Sequence, residues 1–166
     1  QGRICDNLLK RNFDAKRPNE KWVTDVTEFK VNGKKLYLSP IMDLYNGEII
    51  SYNLATRPQP SMVQTMLTYA LKQLSKDEHP ILHSDQGWQY QMSRWQRWLK
   101  DSGIVQSMSR RGNCLDNAVI ESFFGTVKSE CYYLNEYKNV EDVKRDIIDY
   151  INYYNQLRIK EKLGGL

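Results

Sequence analysis

Little in this sequence is available for covalent or metal staples. It has three cysteines in 166 residues, Cys5, Cys114 and Cys131, an odd number with no paired spacing, so a disulfide framework is excluded. The two histidines, His79 and His83, are four apart, but Cys114 and Cys131 lie too far apart for the short ligand spacing of a zinc site. Long apolar runs are missing too. No stretch approaches 18 uncharged apolar residues, which excludes a membrane-spanning helix, and the first residues have no apolar core of a signal peptide. An initiator methionine is also absent, so a piece of a longer protein is expected. Reduced thiols and no export signal lead to the expectation of a cytoplasmic protein.

Charge of one sign is lacking in the total but not locally. The balance is 24 Lys/Arg against 20 Asp/Glu, a net +4. Residues 1–40 hold nine cations and five acids, and residues 86–111 hold five cations and one acid. The two remaining stretches are each acidic. Basic patches of this kind fit a polyanionic partner, or a solvated face.

What is present is a change of period along the chain. Residues 1–20 are charged and aperiodic and read as an arm or linker. Residues 21–30 are rich in β-branched and aromatic side chains and read as a strand. Asn32-Gly33 and Asn46-Gly47 are hairpin signals that join it to strands over 35–45 and 48–55, with Pro40 predicting a break or bulge. Met62, Val63, Met66, Leu67, Ala70, Leu71 and Leu74 then recur at helical spacing over 61–76. Short strands follow at 81–84 and 104–108. Between them, Ser93 and Gln96 predict a capped helix ending near Gly103. Two further helices are expected, one beginning at Asp116 or Asn117 and one over 140–157. The order suits one α/β domain with a five-stranded mixed sheet, three antiparallel strands and then two parallel ones, flanked by helices.

Three acids stand out by position. Asp25 falls mid-strand among Val23, Val26 and Phe29, where a carboxylate is costly unless compensated. Asp85 follows an apolar strand, and Glu121 lies at the edge of a helical apolar stripe, with Asn117 and Lys128 within about 40° of it. Carboxylates brought together repel, and hard divalent cations with oxygen ligands relieve that repulsion. Two such ions stabilise the attacking and leaving oxygens of a phosphoryl displacement. Each acid also has an ordinary reading, as a solvated strand-edge group, a turn cap or a surface residue.

The blocks around these acids narrow the choice. They are Trp22-Val-Thr-Asp-Val-Thr-Glu-Phe29, His83-Ser-Asp-Gln-Gly-Trp-Gln-Tyr90, and the run from Ser109 through Asn117, Glu121 and Lys128 to Glu130, with 35 residues between Asp85 and Glu121. This pattern strongly resembles the catalytic core of bacterial insertion-sequence transposases related to retroviral integrases. The resemblance runs from about Arg11 to Ile159, so 21–158 is expected to be the core and 159–166 a truncated tail.

That resemblance implies a ribonuclease H-like fold in which Asp25 and Asp85 lie side by side. It implies that Asp25, Asp85 and Glu121 hold two Mg²⁺ ions, which Mn²⁺ can replace, with Asp25 bridging them. The implied reaction is 3′-end cleavage by water, then attack of the freed 3′-hydroxyl on another phosphodiester. Lys128, Asn117 and Gln89 would contact DNA, and Arg110 and Arg111 belong to a Ser/Gly/Asn-rich loop suited to its backbone. Element ends and target DNA would be the partners, a homodimer or larger homo-oligomer the working form, no membrane would be involved, and the location would be the bacterial nucleoid. A hydrolytic nuclease of the same fold, or an inactive DNA-binding or assembly module, are the alternatives. Gly125, one turn past Glu121, suggests a close approach of DNA or of another backbone. His83 reads as packed and hydrogen-bonded.

Overall fold

In a computed structural model, residues 2–10, 12–110 and 118–163 are described. The elements in order are β1 (Lys21–Thr24), β2 (Thr27–Val31), β3 (Lys34–Asp43), β4 (Ile49–Ala55), α1 (Pro60–Leu71), β5 (Ile81–Ser84), α2 (Trp88–Gln91), α3 (Ser93–Asp101), β6 (Val105–Met108), α4 (Ala118–Val127) and α5 (Val140–Lys162). A π-helical turn, Lys128–Tyr132, continues α4. The strands form one mixed sheet. β3 pairs antiparallel with β1, β2 and β4, while β1, β5 and β6 are parallel.

The sheet therefore has six strands where five were expected, because the first predicted strand is interrupted. Thr24 faces Ile41 and Thr27 faces Leu38 in one unbroken register, so Asp25-Val26 lies opposite Ser39-Pro40. Pro40 has no N–H. Its carbonyl points towards β1, where it accepts the Thr24 hydroxyl at 2.8 Å. In an antiparallel ladder a residue's N–H and C=O point to the same side, so the missing donor falls at Asp25-Val26. β3 itself runs straight through Pro40, with a register shift at Ile41/Met42. The break anticipated at the proline thus lands on the neighbouring strand.

The Asn32-Gly33 turn has both residues at positive φ, 52° and 78°, as a primed two-residue hairpin requires. Asn46-Gly47 sits instead in a longer loop, where Asp43 accepts from the Gly47 N–H at 2.8 Å and donates to the Glu48 carbonyl at 2.9 Å.

Helices cover both faces of the sheet. On one, Ile120, Phe123, Phe124 and Val127 of α4 and Val143, Ile147, Ile151 and Tyr154 of α5 pack on Val23, Phe29, Leu36, Leu38 and Met42. On the other, α1 and α3 bury Met62, Val63, Met66, Leu67, Ala70, Trp95 and Leu99 against Trp22, Ile41, Leu82 and Met108. The α1 helix stops at Leu71, short of the predicted 76, because a Ser75–Glu78 turn, closed by Ser75 N–H to Glu78 Oε1 at 2.9 Å, takes over the chain. For α5 the reverse holds: it runs past 157 to Lys162, with Asn139 capping its start by accepting the Asp142 N–H. The predicted capping box is not formed, since Ser93 is already helical. Gln96 instead donates to the carbonyls of Arg3 and Tyr90 at 2.7 and 3.2 Å.

Gln96 thereby helps to hold the N-terminal segment. Residues 3–9 run beside β6: the Met108 N–H meets the Asp6 carbonyl at 3.1 Å, the Leu8 N–H meets Ser107 Oγ at 2.8 Å, and Leu9 is buried. A strand edge is thus covered by chain, which removes a template for unwanted pairing.

Candidate active site

Adjacent parallel strands bring Asp25 and Asp85 together. Val23 of β1 is in register with His83 of β5, and each aspartate follows two residues later. Neighbouring strands lie about 4.8 Å apart, so the carboxylates meet just beyond the strand ends. Asp25 is not within a strand, as the sequence suggested, but in the break opposite Pro40.

Asp25 is largely removed from water, and burial pushes its carboxyl up to about 7. The negative charges of Asp85 and Glu121 push the same way, and a hydrogen bond with Asp85 adds to them. Only the Val26 N–H, which donates to Asp25 Oδ1 at 2.8 Å, opposes the shift. Where carboxylates share a site, the charge of one disfavours ionisation of the next. Glu121 stands in the first described turn of α4, on its exposed side, while Ile120 beside it is fully buried and anchors the helix.

The Asp85 loop is tightly built. Asp85 Oδ1 accepts the Gly87 N–H at 2.7 Å, and a Cβ on Gly87 would come within 2.9 Å of that oxygen. Gln86 reaches across to the Ser109 carbonyl at 3.2 Å. His83, behind the site, is fully buried with Nδ1 2.8 Å from Ser107 Oγ and its ring edge-on to Phe13.

The other candidates are spread around this centre. Lys128 opens the π-helical turn, its Nζ 5.4 Å from the centroid of the Phe29 ring. Gln89 is almost fully buried, not exposed at a rim. Arg110 is exposed and lines a cavity of about 720 Å³ with Lys10, Asn7, Gln86 and Ser109. Asn117 and Arg111 lie outside the described residues. Trp88 is half exposed beside Asp85, whereas Trp95 is core. At Gly125 an added Cβ would meet nothing within 4 Å, so no contact within the described chain explains that glycine.

Oxygen donors on rigid strand ends suit a hard divalent cation. The upward shift of the Asp25 carboxyl points the same way, since its neighbours add negative charge and offer one backbone donor. The set is not closed as it stands. Among the described residues no three carboxylate, imidazole or thiolate groups converge tightly enough to hold an ion by themselves. Asp25 and Asp85 are paired, and the charge of Glu121 bears on Asp25 through space.

Comparison with known proteins shows the family and the fold. Residues 15–114 and 121–166 match two models described as integrase core domain. The chain belongs to the integrase core domain family. It is 62% identical over 165 residues to the "Putative transposase InsK for insertion sequence element IS150" of Escherichia coli (strain K12), covering 99% of this chain and 58% of that protein. An "Uncharacterized transposase-like protein" of Haemophilus influenzae is 54% identical over 99% of this chain and 76% of its own length. The fold matches the HTLV-2 integrase catalytic core domain solved in complex with magnesium in a trimeric form, with a TM-score of 0.62 at 20% identity over 85% of each chain. The chain thus spans little more than half the length of the Escherichia coli relative. It is an integrase-type core with a ribonuclease H-like arrangement, and no helix of the described residues is long and apolar enough to cross a membrane.

Two features of the site escaped the sequence reading. Gly87 and Tyr90 both lie inside the quoted His83–Tyr90 block, but only the folded loop shows what each touches. Asp43, buried at the far end of the β1–β3 ladder, also carried no pattern that marked it.

Proposed function

We propose that this chain is the catalytic core of a DNA transposase, a divalent-metal-dependent polynucleotidyl transferase that cleaves at the 3′ ends of an element and joins them to target DNA. The observation that carries the reading is the meeting of Asp25 and Asp85 at adjacent parallel strand ends, with the charge of Glu121 bearing on the same carboxyl. Asp25, Asp85 and Glu121 would hold two Mg²⁺ ions, or Mn²⁺ in their place, with Asp25 shared between them. Bound there, such ions neutralise a phosphodiester and stabilise the attacking and leaving oxygens.

The chain's own groups do the rest. The Gly87 N–H fixes one Asp85 oxygen and leaves the other for a ligand. The Val26 N–H does the same for Asp25. Lys128 supplies a positive point charge seven residues after Glu121, on the same helical side. Arg110, with Lys10 in the adjoining cavity, offers cations to a DNA backbone. Asn117, Arg111 and Gln89 complete the proposed DNA contacts. Element ends and target DNA are the substrates, a homodimer or larger assembly is the working form, and the bacterial nucleoid is the place of action.

The test is strand transfer on element-end DNA by the native protein in Mg²⁺. Asp25→Asn and Glu121→Gln should each lose about 10²-fold or more, the scale of removing a group that stabilises transition-state charge. Near-normal activity in either variant overturns the mechanism. Products that are cut but never joined point to a hydrolytic nuclease instead.

A further inference from the structure

Tyr90, tied to the Asp85 loop through Gly87, is buried in an arrangement that a phenylalanine would serve better, were packing its only role. Its ring is fully buried, 6.0 Å from Trp95 between centroids. Its backbone is held at both ends: the N–H donates to the Gly87 carbonyl at 3.0 Å, and its carbonyl accepts the side-chain amides of Gln96 and Gln106 at 3.2 and 2.8 Å. The ring therefore has a fixed position one short helical turn beyond Asp85.

Among the described residues, the Tyr90 hydroxyl is buried without a hydrogen bond. Buried polar groups are almost always paired, and an orphan costs stability. Thr24 and Gln89 are near enough to act on it, but neither meets it in hydrogen-bonding geometry, and Thr24 gives its own proton to the Pro40 carbonyl at 2.8 Å. The charged groups that act on the hydroxyl are the carboxylates of Asp25 and Asp85. A fixed, unused donor thus lies in the field of two acceptors that the proposed function loads with cations.

We infer that Tyr90 is a positioning residue for the Asp25–Asp85 pair: its hydroxyl donates to a carboxylate oxygen of the pair in the metal-loaded site, orienting the remaining oxygens towards the ions. The inference rests on the function proposed above. Groups behind metal ligands, when removed, typically weaken metal binding about 10-fold or more.

Thermal unfolding of the native protein, titrated with Mn²⁺, separates the possibilities. Binding to the folded state raises Tm in proportion to its affinity. Tyr90→Phe keeps the ring and removes only the orphan. Metal-free Tm should stay level or rise, while the Mn²⁺ concentration for the half-maximal Tm increase rises about 10-fold. A tyrosine that merely fills the core would leave the Mn²⁺ midpoint unchanged, and that result overturns the inference. So does a fall in metal-free Tm, which would show that the hydroxyl already has a partner. Asp25→Asn is the control. If it abolishes the Mn²⁺ response and Tyr90→Phe leaves it intact, the proposed site stands and only the role of Tyr90 fails. If the unaltered protein shows no Mn²⁺ response, the proposed site fails and the role of Tyr90 fails with it.

Discussion

Two aspartates mark opposite ends of the short β1–β3 ladder, and they are solved in opposite ways. Asp43, in register with Trp22, is 4% exposed and has both oxygens engaged, Oδ2 by the Asn19 N–H and Oδ1 by the Tyr45 N–H, each at 2.9 Å. Asp25, just past the other end, has one backbone donor and faces two further carboxylates. Burial raises both carboxyls, but at Asp43 the two N–H groups pull back while at Asp25 most neighbours push the same way. A buried acid surrounded by donors ties chain segments together. One surrounded by acids is left with unmet negative charge, which the proposed cations would neutralise.

The largest effect that separates the two is on activity. Asp43→Asn keeps one acceptor and should leave metal-dependent strand transfer within a few-fold of normal, in contrast to the collapse expected for Asp25→Asn. Equal losses in the two variants would show that the contrast is false. Stability should run the other way. Asp43→Ala leaves two buried N–H groups unanswered and should cost about 2 kcal/mol in denaturant unfolding. Metal-free Asp25→Asn at pH 8 should gain about 1–3 kcal/mol, because a carboxylate held against its neighbours is replaced by a neutral amide.

The pH dependence sharpens this. In the unfolded chain an aspartate loses its proton near pH 4. Folded and metal-free, Asp25 keeps its proton up to about 7. Between those values the folded state binds more protons, so the stability that Asp25 permits is present below about pH 4, falls as pH rises, and levels off above about 7. Chemical unfolding at several pH values, with chelator present, should show that slope in the unaltered chain and a reduced one in Asp25→Asn. Saturating Mn²⁺ should also reduce it, since the ion takes the place of the proton. An unchanged slope in Asp25→Asn would assign the titration elsewhere.

Much of this was legible beforehand, and the misses have physical causes. Local periodicity and turn chemistry marked the strands, the helices and the Asn32-Gly33 hairpin, because those depend on residues close in sequence. The resemblance named Asp25, Asp85 and Glu121, and the meeting of the two aspartates depends on β1 and β5 being parallel neighbours, which no local pattern states. Pro40 was noticed, but its consequence fell across the ladder at Asp25-Val26, where only pairing reveals it. Ser93 and Gln96 matched a capping pattern, yet Gln96 is drawn to the Arg3 carbonyl, some 90 residues away in sequence. Asp43 gave no signal because its donors, Asn19 and Tyr45, become neighbours only on folding.

The smallest effects come from two glycines, one beside each aspartate. Gly47 follows Asp43 with φ at +78°, and an added Cβ would find its nearest neighbour 3.5 Å away. Space is adequate there but the backbone is not, so Gly47→Ala should cost about 1 kcal/mol of stability and leave catalysis alone. Gly87 follows Asp85 with φ at −52°, which alanine adopts freely, but its Cβ would stand 2.9 Å from Asp85 Oδ1 and 3.3 Å from Gln89 Oε1. Gly87→Ala should therefore keep nearly normal metal-free stability, since the shorter list of unfolded conformations offsets a small local shift. Asp85 must move to admit the methyl group, and a ligand displaced by a fraction of an ångström should raise the Mn²⁺ midpoint and lower strand transfer about tenfold. Measured together, the two variants form a crossed pair: one loses stability without function, the other function without stability. If Gly87→Ala lost stability alone, the Asp85 loop would be scaffold like the Asp43 loop, and the division between the two ends of the ladder would disappear.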